Sequence, residues 1–337
     1  VTRTPIFAAV LALGVTPATA KPPPLPLTFV EDLPLPGDAS RFDYQWLDAA
    51  NRRLYIAHLG DSSLVVFDLD ARKVIHEVAH LPSVHGVVAA PGLHLVFATA
   101  TAEKTLALID DQTFEVKSRV PAGEYPNGLA VDAASGKVFV SNNKGPGVAV
   151  VDVKTAKAMP SIKIGGGAGN TQWDADSGHI LAAVHGASYL ADIDPAKAEL
   201  AGRIALDHVS TCHGLLVASS LRLAFAACHG ATPVLAVVDL HARRQTKLVP
   251  LPPDIDVLAF DADLKRLYAA SETGMVAVYT VADDGTVTEL GRGVLAPHAH
   301  TVAVDPTTHR VYFPLESVGG HPVLRVMDAR VDAAPTK

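Results

Sequence analysis

The 337-residue chain has 28 Lys+Arg against 35 Asp+Glu, a formal net charge of −7, and is 49% hydrophobic but only 6% aromatic. That balance offers no general electrostatic pull toward nucleic acid, and no block of like charge marks a polyelectrolyte tail. The apolar residues are mainly Val, Ala and Leu, which suits a β-rich core.

At the N-terminus, Arg3 precedes an apolar run from Ile6 to Val15 and a small-residue site, Ala18-Thr19-Ala20. This pattern predicts a secretory signal peptide, residues 1–20, cleaved after Ala20. The run is too short to span a bilayer, no later segment is longer, and Lys21 stands where a lipid-anchored protein needs Cys. The expectation is a periplasmic or secreted protein without membrane insertion. Residues 21–26, rich in proline, read as an extended leader.

From residue 27 the chain repeats itself. "FDYQWLDAANRRLYIAH", "VHGVVAAPGLHLVFAT", "PNGLAVDAASGKVFVSNN", "CHGLLVASSLRLAFAACHG", "IDVLAFDADLKRLYAAS" and "AHTVAVDPTTHRVYFPLE" share one frame. It consists of a short apolar strand, a polar turn and a second apolar strand. "GNTQWDADSGHILAAVHG" fits with a weaker first strand. A third strand usually ends in Asp (Asp68, Asp110, Asp152, Asp239, Asp328), and a fourth follows. Recurrence of those aspartates predicts turn capping rather than chemistry. Repeats of about 40–45 residues with period-2 alternation predict propeller blades. The fold class expected is all-β, a seven-bladed propeller with four antiparallel strands per blade, forming one domain over 27–337. The seventh unit lacks a fourth strand. Residues 27–37 are expected to supply it and close the ring, which protects the open sheet edge.

"Phe139-Val140-Ser141-Asn142" followed by "VAVVD" resembles the Tyr-Val-Thr-Asn repeat of the YVTN, or YncE-like, β-propeller family. The stretch from Gly123 to Val131 resembles that family's blade entry. The resemblance covers almost the whole chain after the leader. It implies a propeller of an exported kind whose relatives include lactonases, lyases and nucleic-acid binders. Several blades depart from the motif, with His58, Cys228 or Ser271 replacing Asn.

Equivalent positions near the start of each first strand are Asp43, His85, Asn127, Gly169, His213, Asp256 and His300. First strands line a propeller's channel, so these positions form a ring. Blades five, six, seven, one and two bring His213, Asp256, His300, Asp43 and His85 to one mouth. Fifteen residues further on stand His58, Ala100, Asn142, Val184, Cys228, Ser271 and Leu315, with His185 and His229 one residue later. His298, two before His300, is expected to point the same way. Tyr44 adjoins Asp43.

Neutral imidazole and carboxylate are the usual ligands of Zn, Mn, Fe and Cu. Asp43, His85, His213, Asp256 and His300 are therefore candidate ligands. His85, His213 and His300 are candidate catalytic groups, by metal-activated water or by His–Asp acid–base work. His58, Asn127, Asn142, His185, Cys228, His229, His298 and Tyr44 are candidates to line the mouth. The reading is a metal-dependent hydrolase, lactonase or lyase acting on a small ester- or lactone-like molecule. One alternative is a non-catalytic binding propeller of the cell envelope. Another is a His-ligated iron or copper oxidoreductase, similar in general arrangement to the carotenoid-cleaving oxygenases.

Each of these residues, taken singly, has a structural alternative, tying loop backbone between blades. The remaining features read as structural. His94, His179 and His309 fall in hairpin turns of the opposite face, where solvation is expected, and His76 lies on an outer strand. Trp46 and Trp173 are expected to pack between blades. "GGGAG", Gly165 to Gly169, opens no helix and reads as a flexible blade link rather than a phosphate loop. Simple hairpin register sets Cys228 opposite His213, turning Cys212 away. A disulfide then needs a bent strand end, and otherwise Cys228 is free to act as a soft ligand.

Overall fold

The computed structural model describes residues 22–329. The segment expected to be a signal peptide, residues 1–20, lies outside them, as do Lys21 and residues 330–337. Alternating apolar strands joined by tight turns build seven four-stranded antiparallel sheets arranged as blades. Blade one comprises Gln45–Asp48, Arg53–His58, Ser63–Asp68 and Lys73–Val78. Blades two to six repeat this order, innermost strand first. In blade seven the innermost strand shrinks to Ala303–Val304, followed by Arg310–Val318 and His321–Ala329. Leu27–Pro34 completes that blade antiparallel to His321–Ala329, from Leu27 opposite Ala329 to Pro34 opposite Val323. The N-terminal strand closes the ring as expected, ending at Pro34. Among the described residues no helix is long and apolar enough to cross a membrane.

The leader is docked. The Arg292 N–H donates to the Pro23 carbonyl, and Pro24 bridges Arg292 in parallel along the outer strand of blade six. A Cβ at Gly291 would stand 2.2 Å from the Pro24 carbonyl oxygen, so only glycine lets the leader approach.

The core lies between the blades. The third position of successive second strands holds Tyr55, Phe97, Phe139, Leu181, Phe225, Tyr268 and Tyr312, all buried. One large side chain per blade, surrounded by Val and Ala, fills each wedge. Truncating such a residue costs about 3–5 kcal/mol. At the lower face, charged groups tie neighbouring blades. Arg52 reaches Asp305 at 2.7 Å, Arg222 reaches Asp174 at 2.7 Å, and His309 Nδ1 meets Asp261 at 2.8 Å. His179 Nδ1 lies 2.6 Å from Asp192 within blade four. His179 and His309 are thus paired and half-buried rather than solvated, whereas His94 is exposed. His76 is exposed, with its ring near Phe114.

Third-strand aspartates cap turns where expected. Asp68, Asp110, Asp152 and Asp239 each accept from backbone N–H groups two or three residues on. Asp328 differs: it sits inside the last strand opposite Arg310. Trp46 is 37% exposed rather than packed between blades, and with Trp173 it lines an apolar recess toward the lower end of the channel. Nor is the glycine run a flexible link. A Cβ at Gly167 would meet the Asn143 carbonyl at 2.3 Å, so close blade packing demands its absence.

Candidate functional site

The ring positions reach the channel through a local irregularity. In blades two to six the first hairpin slips register at the ring residue, as between Val84 and Val87, Cys212 and Leu215, and Ile255 and Val257. Such bulges kink a strand and re-aim a side chain. Here they turn His85, Asn127, His213 and Asp256 into a polar cavity of ≈ 380 Å³ at the upper mouth. The glycines that follow permit blade contact: a Cβ at Gly86 would lie 2.2 Å from the Asn127 carbonyl, and one at Gly214 2.7 Å from that of Asp256.

The bulge also overturns the simple hairpin register. Cys212, not His213, lies opposite Cys228, and the two form a disulfide. Cys228 is therefore not a soft ligand.

Asp256 sits at the centre of the polar network. Its carboxylate lies 3.1 Å from His213 Nε2 and 3.9 Å from His300 Nε2. Tyr44 Oη is 3.1 Å from His213 Nε2, and His185 Nε2 is 3.2 Å from His213 Nδ1. Arg41 donates to both carboxylate oxygens of Glu272 at 2.9 and 2.6 Å and to His300 Nε2 at 3.2 Å. Its guanidinium stands 3.7 Å from Asp43. One ligand atom each from Asp256, Glu272 and His300 lies within 4.8 Å of the others, the geometry of a candidate cation site.

Two imidazoles are held by the same device. His300 Nδ1 donates to the His298 carbonyl at 2.8 Å, and His85 Nδ1 to that of Ser83 at 2.7 Å. Both carbonyls belong to residues with positive φ, 56° at His298 and 52° at Ser83. Donation from Nδ1 leaves the lone pair on Nε2, the usual arrangement of a metal-binding or basic histidine; on His300 that lone pair accepts from Arg41. On His85, among the described residues, that nitrogen is met only by Tyr125 Oη, at 3.4 Å.

Burial and charge push the groups apart. Burial raises the Asp43 carboxyl above its ordinary range, outweighing the nearby cationic groups. Burial acts likewise on Asp256, but the His213 hydrogen bond and charge hold that carboxyl below its usual range. His213 is raised: burial opposes its charge, and Asp256 overcomes it. Glu272 is lowered by the Arg41 pair against burial. Burial, with His213 beside it, takes His185 down to about 4, and the same causes lower His229. A protonatable carboxyl beside a firm carboxylate, with neutral and charged imidazoles, can move protons at neutral pH.

The structure brings Asp43, His85, Asn127, His185, His213, His229, Asp256 and Tyr44 to the cavity wall, with His300 behind Asp256 and Arg41. Besides the disulfide-bonded Cys228, three expected mouth residues lie elsewhere. His58 is fully buried, stacked 4.1 Å from Phe42 and bonded to Ser40 Oγ. Asn142 ties the loop through the Tyr125 N–H and the Ala122 carbonyl. His298 turns outward into solvent, since its positive φ directs its carbonyl, not its ring, at the site. Sequence reasoning missed Arg41 and Glu272. Glu272 occupies the same place after its second strand as His185 and His229, so that alignment carried the signal. Arg41 shares the place two before the ring residue with Tyr125, Thr211 and Asp254, all in the cavity wall.

The fold and site define a seven-bladed β-propeller with a His- and carboxylate-lined axial mouth. Among solved structures the chain is similar to hydrazine synthase of Kuenenia stuttgartiensis, with TM-score 0.72 and 15% identity over 95% of this chain and 100% of that one. It is also similar to the RRP9 WD40 repeats, with TM-score 0.72 and 9% identity over 89% and 97% of the two chains. A chain of a mitotic checkpoint complex gives TM-score 0.71 and 10% identity over 97% and 98%. At these identities the likeness establishes the fold alone. No family model matches the sequence, and comparison with curated proteins returned no match.

Proposed function

We propose that this is an exported propeller that binds a divalent transition metal at Asp256, Glu272 and His300 and uses it on a small ester- or lactone-like substrate. The observation that carries the reading is the convergence of those three ligand atoms within 4.8 Å, with Asp256 and Glu272 on the wall of a polar cavity and His300 behind Asp256. A bound ion there would polarise a carbonyl or acidify water. The chain's own groups complete the chemistry. His85, anchored through Nδ1, offers Nε2 as base to a water or hydroxyl in the cavity. Asp43, on the blade next to His85, and His213 hold or return a proton, and Tyr44 orients His213. Four carboxylates against one guanidinium line the cavity, which favours a cation over an anionic ligand. The disulfide suits an oxidising compartment, in keeping with the signal segment and the resemblance to exported YVTN propellers.

Arg41 favours a second reading. Its guanidinium already satisfies Glu272 and His300, which suits a binding propeller that performs no chemistry. Ester and lactone panels assayed with Mn2+ or Zn2+, using the native protein, Glu272→Gln and His85→Ala, separate the two. Metal-dependent turnover lost in both variants supports the enzyme. Metal-independent turnover, or none on any panel member, removes it.

A further inference from the structure

We propose that His185, His213 and His229 form a second cation site, for an imidazole-preferring ion of the copper or zinc kind. It is distinct from the carboxylate-rich set of Asp256, Glu272 and His300 and stands whether or not that set binds metal. The backbone prearranges the three rings. Thr211, at the entry to blade five, bridges His185 of blade four, and its carbonyl accepts the His229 N–H at 2.7 Å. The His185 N–H is in turn held by the Gly167 carbonyl at 2.8 Å. The Cys212–Cys228 bridge fixes the residues immediately before His213 and His229. Rigid supports of this kind are what a metal site needs.

The spacing matches for His185 and His213. Two nitrogens bound to one tetrahedral ion at ordinary zinc–nitrogen lengths stand about 3.3 Å apart, with ring centres about 5.2 Å apart. His185 Nε2 and His213 Nδ1 are 3.2 Å apart, and their ring centres are separated by 5.3 Å. The His229 ring centre is 6.4 Å from that of His213 and its plane is turned by 64°, so His229 must swing inward to complete the set. Its nearest charged group, Asp254, stands 3.9 Å from Nδ1, too far for a hydrogen bond to hold the ring. His213 presents Nδ1 to this cluster while its Nε2 faces Asp256, the carboxylate–imidazole–metal arrangement that orients a ligand and raises its basicity. The open side of the cluster faces the cavity, leaving a fourth position for water or substrate. All-imidazole ligation selects copper, zinc or nickel over manganese or magnesium.

The test is titration of the chelator-stripped full chain with Cu2+ alone, followed by EPR. The native protein is expected to take up one tightly held Cu2+ whose spectrum carries coupling to several imidazole nitrogens. His185→Ala/His229→Ala should abolish that signal, and the milder His229→Gln should weaken binding while thermal unfolding stays near native. Glu272→Gln should leave the copper signal intact, since it touches only the carboxylate set. An unchanged signal in folded His229→Gln and in the double variant overturns the proposal, as does a native spectrum without nitrogen coupling. Loss of the signal in Glu272→Gln would also overturn it, by moving the copper to the other set.

Discussion

Removing Arg41 should tighten, not weaken, manganese binding at the upper mouth. The guanidinium competes for the same acceptors an ion needs: both oxygens of Glu272, at 2.9 and 2.6 Å, and His300 Nε2, at 3.2 Å. An ion entering among Asp256, Glu272 and His300 must push Arg41 aside. Hydrogen bonds to charged groups contribute about 1.5–3 kcal/mol. Arg41 and Glu272 side chains are 35% and 37% exposed, so solvent screening argues for the low end, about 1.5 kcal/mol. Arg41→Ala should then bind Mn2+ about tenfold more tightly. Manganese is the suitable probe because carboxylates suit it and an all-imidazole cluster does not. Free Mn2+ is read by EPR in titrations of native protein and Arg41→Ala. Lys104→Ala, which removes a cation paired with the exposed Glu124, serves as the control. Unchanged or weaker Mn2+ binding in Arg41→Ala, with the fold intact, would show that the guanidinium is not seated on the ion's ligands.

Three further outcomes follow from the fold. The buried Asp305 carboxyl is held below its ordinary range because Arg52 and local donors outweigh burial. A depressed folded value stabilises above the unfolded value of about 3.9 and is lost as pH falls through the folded one. Arg52→Ala should thus cost about 2 kcal/mol at pH 7 and less at pH 3, by urea unfolding; an equal cost at both would contradict the pairing. Replacing Cys212 and Cys228 with Ser opens a loop with a sequence separation of 16, and should cost about 3 kcal/mol. A melting temperature insensitive to reductant and to the substitution would refute that bridge. Tyr279 buries a hydroxyl without a hydrogen-bond partner among the described residues, so Tyr279→Phe should be neutral or stabilising by up to about 1 kcal/mol in the same unfolding assay.

The propeller was legible because its signals are local and repeated. Alternating apolar strands, turn aspartates such as Asp68 and Asp110, and the missing fourth strand of the last unit led to the blade count and to closure by Leu27–Pro34. The ring residues were legible by alignment, since symmetry converts equal position into proximity, as with His213 and Asp256. Side-chain direction was not legible. A one-residue bulge reverses alternation, and no residue type announced the slip at Cys212, so His213 rather than Cys212 was expected opposite Cys228 and the bridge was left open. The same limit applied to His298, whose left-handed backbone turns its ring to solvent, and to His58, drawn into the blade by Ser40 and Phe42. Arg41 escaped because it precedes the first strand of blade one and reaches the site with a long, flexible side chain.

The most direct test of the carboxylate-and-histidine centre is an anomalous difference map from crystals of the full chain grown with Mn2+. The account predicts a peak within bonding distance of Asp256, Glu272 and His300, with Arg41 displaced toward Asp43. A map with no peak there at saturating Mn2+, or with Arg41 still seated on Glu272, would contradict it.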